Sequence, residues 1–494
     1  MCFRKGLFII LGLFLLALPA ISGVRTIERK IVKYKLDNGI TLLILPKPDV
    51  PVISFITRAK VGAANETEEY YGIAHILEHM SFKGTRDIGT KDYNRERIAM
   101  AKEDSIFSLI LEEKDSLRLD TLRKAFEKIK SQAESLVISN EFGEILEREG
   151  GVSLNASTGY DGTSYYLRLP SNKLELWMSM ESERFISPVL REFYTETQGP
   201  IAEERRMSAE NYPPGKLYER FLLTAFPKNH PYGHPIIGFM DDILTATRRE
   251  ARDFFHRYYV PSNLILSIVG DVEPREVLRL AKLYWGRIPK REPPPPPKVP
   301  EIPKGEKRVE LRLKAQPRLL IGYHRPSVKD SNNPVYDVIA DYLGRGRTSL
   351  LYKSLVKEKK IATYAYASSS VPGDKYSTLF FISVIPAPGH TAEECELAVY
   401  KEIEKLKRES IPKEELDKII KRAKADIFRY LDNDLFTAML LAYYEDVYGD
   451  YRELFRYIER LEEVTPKDIQ RVANGLFVKD NRVVGSIITL KEEK

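Results

Sequence analysis

Cysteine is nearly absent from this chain of 494 residues. Cys2 and Cys395 are the only two, and their separation fits no zinc ribbon, no Cys-x-x-Cys redox pair and no disulfide framework. If the N-terminus is removed, Cys395 stands alone and reads as an ordinary helix residue. An excess of one charge is also missing. Lys plus Arg number 77 against 71 Asp plus Glu, a formal charge of +6. Such a balance reads as a solvated surface and gives no case for a nucleic-acid partner. Beyond residue 21 no stretch is apolar enough to cross a bilayer. Glutamine is scarce beside abundant Lys and Glu, a composition that leans toward heat adaptation.

What is present is material for a large interior. Apolar residues make up 43% of the chain, and the length calls for two to four domains. Residues 1–23 read as an export signal or an N-terminal anchor. Arg4 and Lys5 precede an apolar run from Gly6 to Ile21, and Ala20-Ile21-Ser22 offers small residues for signal-peptide cleavage. The run of about 16 residues is short of the roughly 20 that span a bilayer. The expected location is periplasmic or otherwise extracytoplasmic, with membrane contact only if the segment stays uncleaved. Cys2 precedes the apolar run, which is not the place of a lipoprotein cysteine.

The segment 291–308, REPPPPPKVPEIPKGEKR, is a proline-rich linker that favours an extended backbone. It separates an N-terminal domain, 30–290, from a C-terminal one, 309–494. The two look homologous. Thr247 is followed sixteen residues later by Asn263, and Thr465 sixteen residues later by Asn481. Each time the pattern is a helix, a turn at Asn and an apolar strand. Strands are expected at 40–45, 52–58, around 163–167, 318–323 and 377–385. Helices are expected at 72–82, 174–185, 391–407 and 412–448. Strands and helices do not alternate strictly, so the fold class is α+β: two homologous α/β rolls, each a mixed or antiparallel sheet flanked by helices. Residues 90–140, free of Gly and Pro and rich in charge, read as a helical insertion whose charges form a solvated face.

The chemistry concentrates in GIAHILEHMSFKG. In a helix, His75 and His79 at i and i+4 share one face, with Glu78 at its edge. Two imidazoles can then hold one zinc ion while the carboxylate acts on a water at the metal. The segment is otherwise apolar, and unpaired polar groups buried there would be costly. Catalytic zinc sites use a third protein ligand and leave the fourth position open. His230 and His234, in KNHPYGHP, read as part of a structural turn.

Gly72-x-x-His75-x-x-Glu78-His79-x-x-Phe82-x-Gly84 resembles the signature of the pitrilysin/insulinase family of inverted-motif metallopeptidases. Within that family the chain looks most like the bacterial two-domain proteins similar to processing peptidases. LNAST (154–158), SYYLRLPSNKLELW (164–177) and EERRM (203–207) extend the resemblance. It implies one Zn2+ per chain, held by His75, His79 and a downstream glutamate that stands before a basic pair. Glu204, before Arg205-Arg206, is the expected ligand and Glu203 the alternative. Glu196 is implied as the carboxylate that orients a ligand. It lies eight residues before Glu204 where the family pattern has seven, and Gly199-Pro200 reads as a one-residue insertion in the loop entering the helix. Asn155 and Ala156 match a strand whose edge pairs with substrate. The implied activity is hydrolysis of peptide bonds in exported peptides or unfolded proteins by a zinc-activated water, with Glu78 as general base. The family's Arg/Tyr pair aligns here with Val356 and Thr363, while Lys357 and Tyr364 have the spacing but sit one residue late. The expectation is therefore a metal-bearing subunit paired with a second homologous chain that supplies the missing pair, a heterodimer or else a homodimer. The alternative is an inactive binding or assembly subunit of the same fold.

Overall fold

The computed structural model describes residues 25–68 and 71–490. The expected signal or anchor segment and Cys2 lie outside the described residues. Six strands form the first sheet: β1 (Val32–Lys35), β2 (Thr41–Pro46), β3 (Val52–Ala59), β4 (Val152–Thr158), β5 (Thr163–Pro170) and β6 (Leu264–Gly270). Their order is β1-β2-β6-β3-β5-β4. The pairing of β2 with β6 is parallel, and the others are antiparallel. β6, LILSIVG, is buried throughout, as a central strand with both faces covered must be.

The second sheet repeats this plan without a counterpart of β1. It comprises β7 (Lys307–Leu313), β8 (Arg318–Arg325), β9 (Ala362–Val371), β10 (Thr378–Pro386) and β11 (Arg482–Thr489), in the order β7-β11-β8-β10-β9. Again one pair, β7 with β11, is parallel. The repeat extends to single bonds. Thr247 and Thr465 cap their helices through the same box, with Glu250 and Asp468. Asn263 and Asn481 each donate to the carbonyl five residues back, Tyr258 and Leu476.

Each half covers the other's sheet. Helix Pro213–Ala225, from the N-terminal half, lays Leu217 and Phe221 on Leu320, Leu379, Phe381, Val483 and Ile487 of the second sheet. Helix Asp434–Tyr448, from the C-terminal half, lays Leu441 and Ala442 on Leu43, Ile56, Ile265 and Val269 of the first. The periodic stretch 412–448 is not one helix: Lys413–Asp432 and Asp434–Tyr448 are separated at Asn433, whose extended backbone lets its side chain cap the second through Phe436 N.

Residues 90–140 form two helices, Tyr93–Glu112 and Ser116–Glu134, joined by three residues and capped by Asp92 and Asp115. Their charges are not all solvated, contrary to the expectation from sequence. Glu96 and Glu103 are buried because they meet buried arginines, Arg191 at 2.7 Å and Arg248 at 2.5 Å. The Arg191 guanidinium also donates to the carbonyls of Lys83, Thr85 and Ile88, tying down the loop that follows the helix of the motif. Cys395 is buried in helix Ala392–Arg408, and burial pushes its thiol up to about 11.

Candidate active site

The helix Ile73–Met80 begins at Gly72, where φ is +87° and an added Cβ would meet Ile237 O at 2.5 Å. Only glycine fits such a position without strain. The first free amides of the helix are met by Glu66, which accepts from Gly72 N at 2.9 Å and Ala74 N at 2.8 Å. Ile73, Ala74, Ile76, Leu77 and Met80 face the core. That leaves His75, Glu78 and His79 on the remaining face.

His75, His79 and Glu204 each offer one ligand atom, and these atoms all lie within 4.8 Å of one another. His75 Nε2 and His79 Nε2 are each 3.6 Å from Glu204 Oε2. That is too long for a hydrogen bond, and near the roughly 3.3 Å edge of a tetrahedron with bonds of about 2.0 Å. Two imidazole nitrogens and one carboxylate oxygen, converging at that separation, fit a zinc ion with one open position. Glu203 turns the other way and pairs with Arg206 at 3.0 Å on the exposed side. Arg205 is buried against Glu219.

Glu196 and Glu204 sit on opposite sides of the same imidazole. Glu196 Oε1 is 2.9 Å from His79 Nδ1, and its Oε2 is 2.6 Å from Lys83 Nζ, which also reaches Glu192 at 3.1 Å. The eight-residue spacing is accommodated inside the helix rather than in an entry loop. Residues 193–210 are helical throughout, and Thr197–Ile201, which contains Pro200, is a π-type turn. Along a regular α-helix, eight residues would leave the two side chains about 80° apart and seven only about 20°. A π turn absorbs the extra residue and restores the shared face. Pro200 cannot donate the usual bond, which favours the widening at that place.

The electrostatics separate the two imidazoles. Burial, with the neighbouring His79, lowers the His75 pKa to about 4. His75 is therefore neutral at neutral pH. Burial also pulls on His79, but the hydrogen bond to Glu196 and the charges of Glu196 and Glu204 outweigh it and lift its pKa to about 9. Burial pushes Glu196 up, and His79 and Lys83 together overturn this and hold it at about 2. Burial raises Glu78 above the usual carboxylate range, opposed by a hydrogen bond from Thr158.

β4 is the outermost strand of its sheet, so one edge has no strand partner, and Ala156 N is met there by the Oδ1 of its neighbour Asn155 at 2.8 Å. Asn155 is exposed there and Ala156 is buried. A cavity of about 490 Å3 opens beside the motif, lined by Glu78, His79, Phe82, Val137, Asn155 and Glu196. Val356, Lys357, Thr363 and Tyr364 belong to the turn 352–358 and to β9 in the other half, and among the described residues none of them bonds to the motif side chains. The KNHPYGHP loop is packed structurally: His234 stacks on Tyr71 with ring centres 4.2 Å apart, and His230 contacts Ser377 Oγ at 3.1 Å. Thr158, Glu66 and Lys83 escaped the reading of the sequence, since a lone residue of each type carries no spacing signal.

Two family models match. The one described as insulinase (peptidase family M16) covers residues 56–107 and 126–239, and the one described as peptidase M16 inactive domain covers 245–423. The unmatched residues 108–125 fall inside the helical hairpin. A curated relative, the zinc protease PqqE of Helicobacter pylori, is 30% identical over 450 residues, 90% of this chain and 89% of that protein. The crystal structure of a protease from Helicobacter pylori superimposes with a TM-score of 0.77 at 28% identity, covering 93% of this chain and 99% of that one. The periplasmic protease PqqL of Escherichia coli shares the fold, with a TM-score of 0.69 at 19% identity over 93% of this chain and 48% of its own.

Proposed function

Because this chain belongs to the insulinase family of M16 peptidases, we propose that it is a zinc-dependent endopeptidase of exported peptides or unfolded proteins, acting as the metal-bearing subunit of a dimer. The observation that carries this reading is the convergence of His75 Nε2, His79 Nε2 and Glu204 Oε2 beside the Glu78 carboxylate. His75, His79 and Glu204 would hold zinc, which when bound supplies Lewis-acid polarisation and makes a water acidic near neutral pH. Glu78, as general base, takes the proton of the attacking water and returns it to the leaving amine. Glu196 fixes the His79 ring through Nδ1, so that Nε2 faces the site. An extended peptide adds to the outer edge of β4 at Asn155 and Ala156, replacing the Asn155 Oδ1 that Ala156 N now meets, and so places its backbone across the cavity.

Export is supported by the apolar N-terminal run and by the fold shared with the periplasmic protease PqqL. Pairing is supported by Val356 and Thr363 standing where the family pattern has arginine and tyrosine. It is supported too by PqqL, whose chain is about twice as long as the part this chain matches. The partner would supply the Arg/Tyr pair as a different chain, or as a second copy. An active monomer, with no companion on cross-linking or co-purification, refutes the pairing.

Glu78→Gln tests the central claim. Zinc content should stay at one per chain while cleavage of an unfolded protein substrate falls by at least about 100-fold. Undiminished turnover removes Glu78 as the base. The second reading, an inactive binding or assembly subunit, is favoured by the same Val356 and Thr363. It predicts zinc and peptide binding with no cleavage, alone or with whatever copurifies.

A further inference from the structure

Thr158 is the last residue of β4, and its Oγ1 donates to Glu78 Oε2 at 2.5 Å. Glu78 is thereby gripped by the same strand that presents Asn155 and Ala156 at the sheet edge. The grip is braced from behind. Thr158 pairs with Thr163 across a tight turn, and Thr163 Oγ1 donates to Val61 O at 2.9 Å. In that turn Asp161 is buried and accepts from Tyr232 OH at 2.8 Å and from Asp374 N at 2.5 Å. Lys375 Nζ donates to Asp161 O at 2.7 Å and pairs with Asp446 at 2.6 Å. The turn between β9 and β10 of the C-terminal half thus holds the turn between β4 and β5 of the N-terminal half.

We propose that Thr158 is the positioning residue of the base: its hydroxyl fixes one oxygen of Glu78, leaves the other to the attacking water, and ties the base to the strand on which substrate lies. This rests on the peptidase reading above. A carboxylate on a flexible two-carbon stem has several rotamers, and a base displaced by about 1 Å can cost on the order of 100-fold in rate. The anchored oxygen removes that freedom. Substrate contact is made by the strand rather than by Thr158 itself, so the hydroxyl should affect the chemical step and not binding.

The test compares the full-length chain with Thr158→Val and Thr158→Ser, using one unfolded protein substrate and zinc added in excess. Thr158→Val should lower kcat by about 10- to 100-fold with KM within about two-fold and zinc content unchanged. Thr158→Ser should restore most of kcat. A reading independent of turnover comes from the metal-free protein: the infrared carboxylate band isolated by subtracting Glu78→Gln should shift in Thr158→Val and return in Thr158→Ser. An unmoved band, or a Thr158→Val kcat within two-fold of wild type, overturns the proposal. So does loss of activity that tracks loss of zinc, or a Ser variant no better than Val, since both mark a merely structural role. Glu78→Gln measured alongside separates the two readings: if it retains full turnover, the assignment of the base fails first.

Discussion

Replacing Glu196 by glutamine removes a charge and almost no volume. The carboxylate contacts His79 Nδ1 at 2.9 Å and Lys83 Nζ at 2.6 Å, and its side chain is only 12% exposed. Lys83 would keep Glu192 at 3.1 Å, so no buried ammonium is orphaned and the fold should survive. The effect should fall on the metal. Loss of a partner behind a ligating histidine costs about 10- to 100-fold in metal affinity, or about 1.4 to 2.7 kcal/mol. A second effect has the opposite sign. Without metal, His79 has a pKa near 9, so at pH 7 zinc must displace its proton. Glu196 contributes to that elevation, and in the variant the proton leaves more easily. The full loss should therefore appear above pH 9, where neither protein carries the proton, and be partly masked at pH 7. Zinc affinity measured by competition with a chelator at pH 7 and pH 9.5 reads both. Equal affinities at pH 9.5 would refute the role given to Glu196. A larger deficit at pH 7 than at pH 9.5 would refute the protonation argument.

Further outcomes follow from the same geometry. Zinc binding at pH 6, below the roughly neutral pKa of a zinc-bound water, should release close to one proton, from His79, because His75 with a pKa near 4 has none to lose; calorimetry in buffers of different ionisation enthalpy counts it, and zero or two would contradict the assignment. Gly72→Ala should lower thermal stability, since its left-handed backbone costs about 1–2 kcal/mol for a non-glycine residue and its Cβ would meet Ile237 O at 2.5 Å. Arg191→Met leaves Glu96 buried without a partner and should cost about 3–5 kcal/mol in denaturant titration.

The fold was legible where periodicity was strong. β2, β3, β8, β10 and helix Leu174–Ile186 lie within two residues of their expected limits, because apolar alternation and Gly or Pro punctuation marked them. The break at Asn433 was not legible, since the apolar periodicity of a helix runs through it and a single asparagine only caps. The buried Glu96 and Glu103 were hidden for a related reason: their partners Arg191 and Arg248 are about 95 and 145 residues away, and no local signal links them. The motif helix declared itself through spacing. Glu66 and Thr158 did not, because each becomes meaningful only when distant strands and turns bring it to the helix.

The exchange of helices between the halves bears directly on the site. Helix Pro213–Ala225 follows closely on the helix that carries Glu196 and Glu204, and Arg205 grips it through Glu219. Its Phe221 ring rests on glycines of the second sheet: a Cβ at Gly322 would meet Phe221 Cζ at 2.8 Å, and one at Gly485 would meet Phe221 Cδ2 at 3.1 Å. The half without the motif thus forms the seat on which the carboxylate helix is aligned. Gly322→Ala tests this, because one methyl must displace the ring. Overpacking should cost about 1–3 kcal/mol, and the displaced helix should also weaken zinc binding although residue 322 touches no ligand. Gly389→Ala, where nothing lies within 4 Å but the backbone strain at φ +87° is similar to that at other left-handed glycines, serves as a control that should lose some stability and no zinc affinity. If Gly322→Ala loses stability while binding zinc as wild type does, the C-terminal half supports the fold without aligning the site.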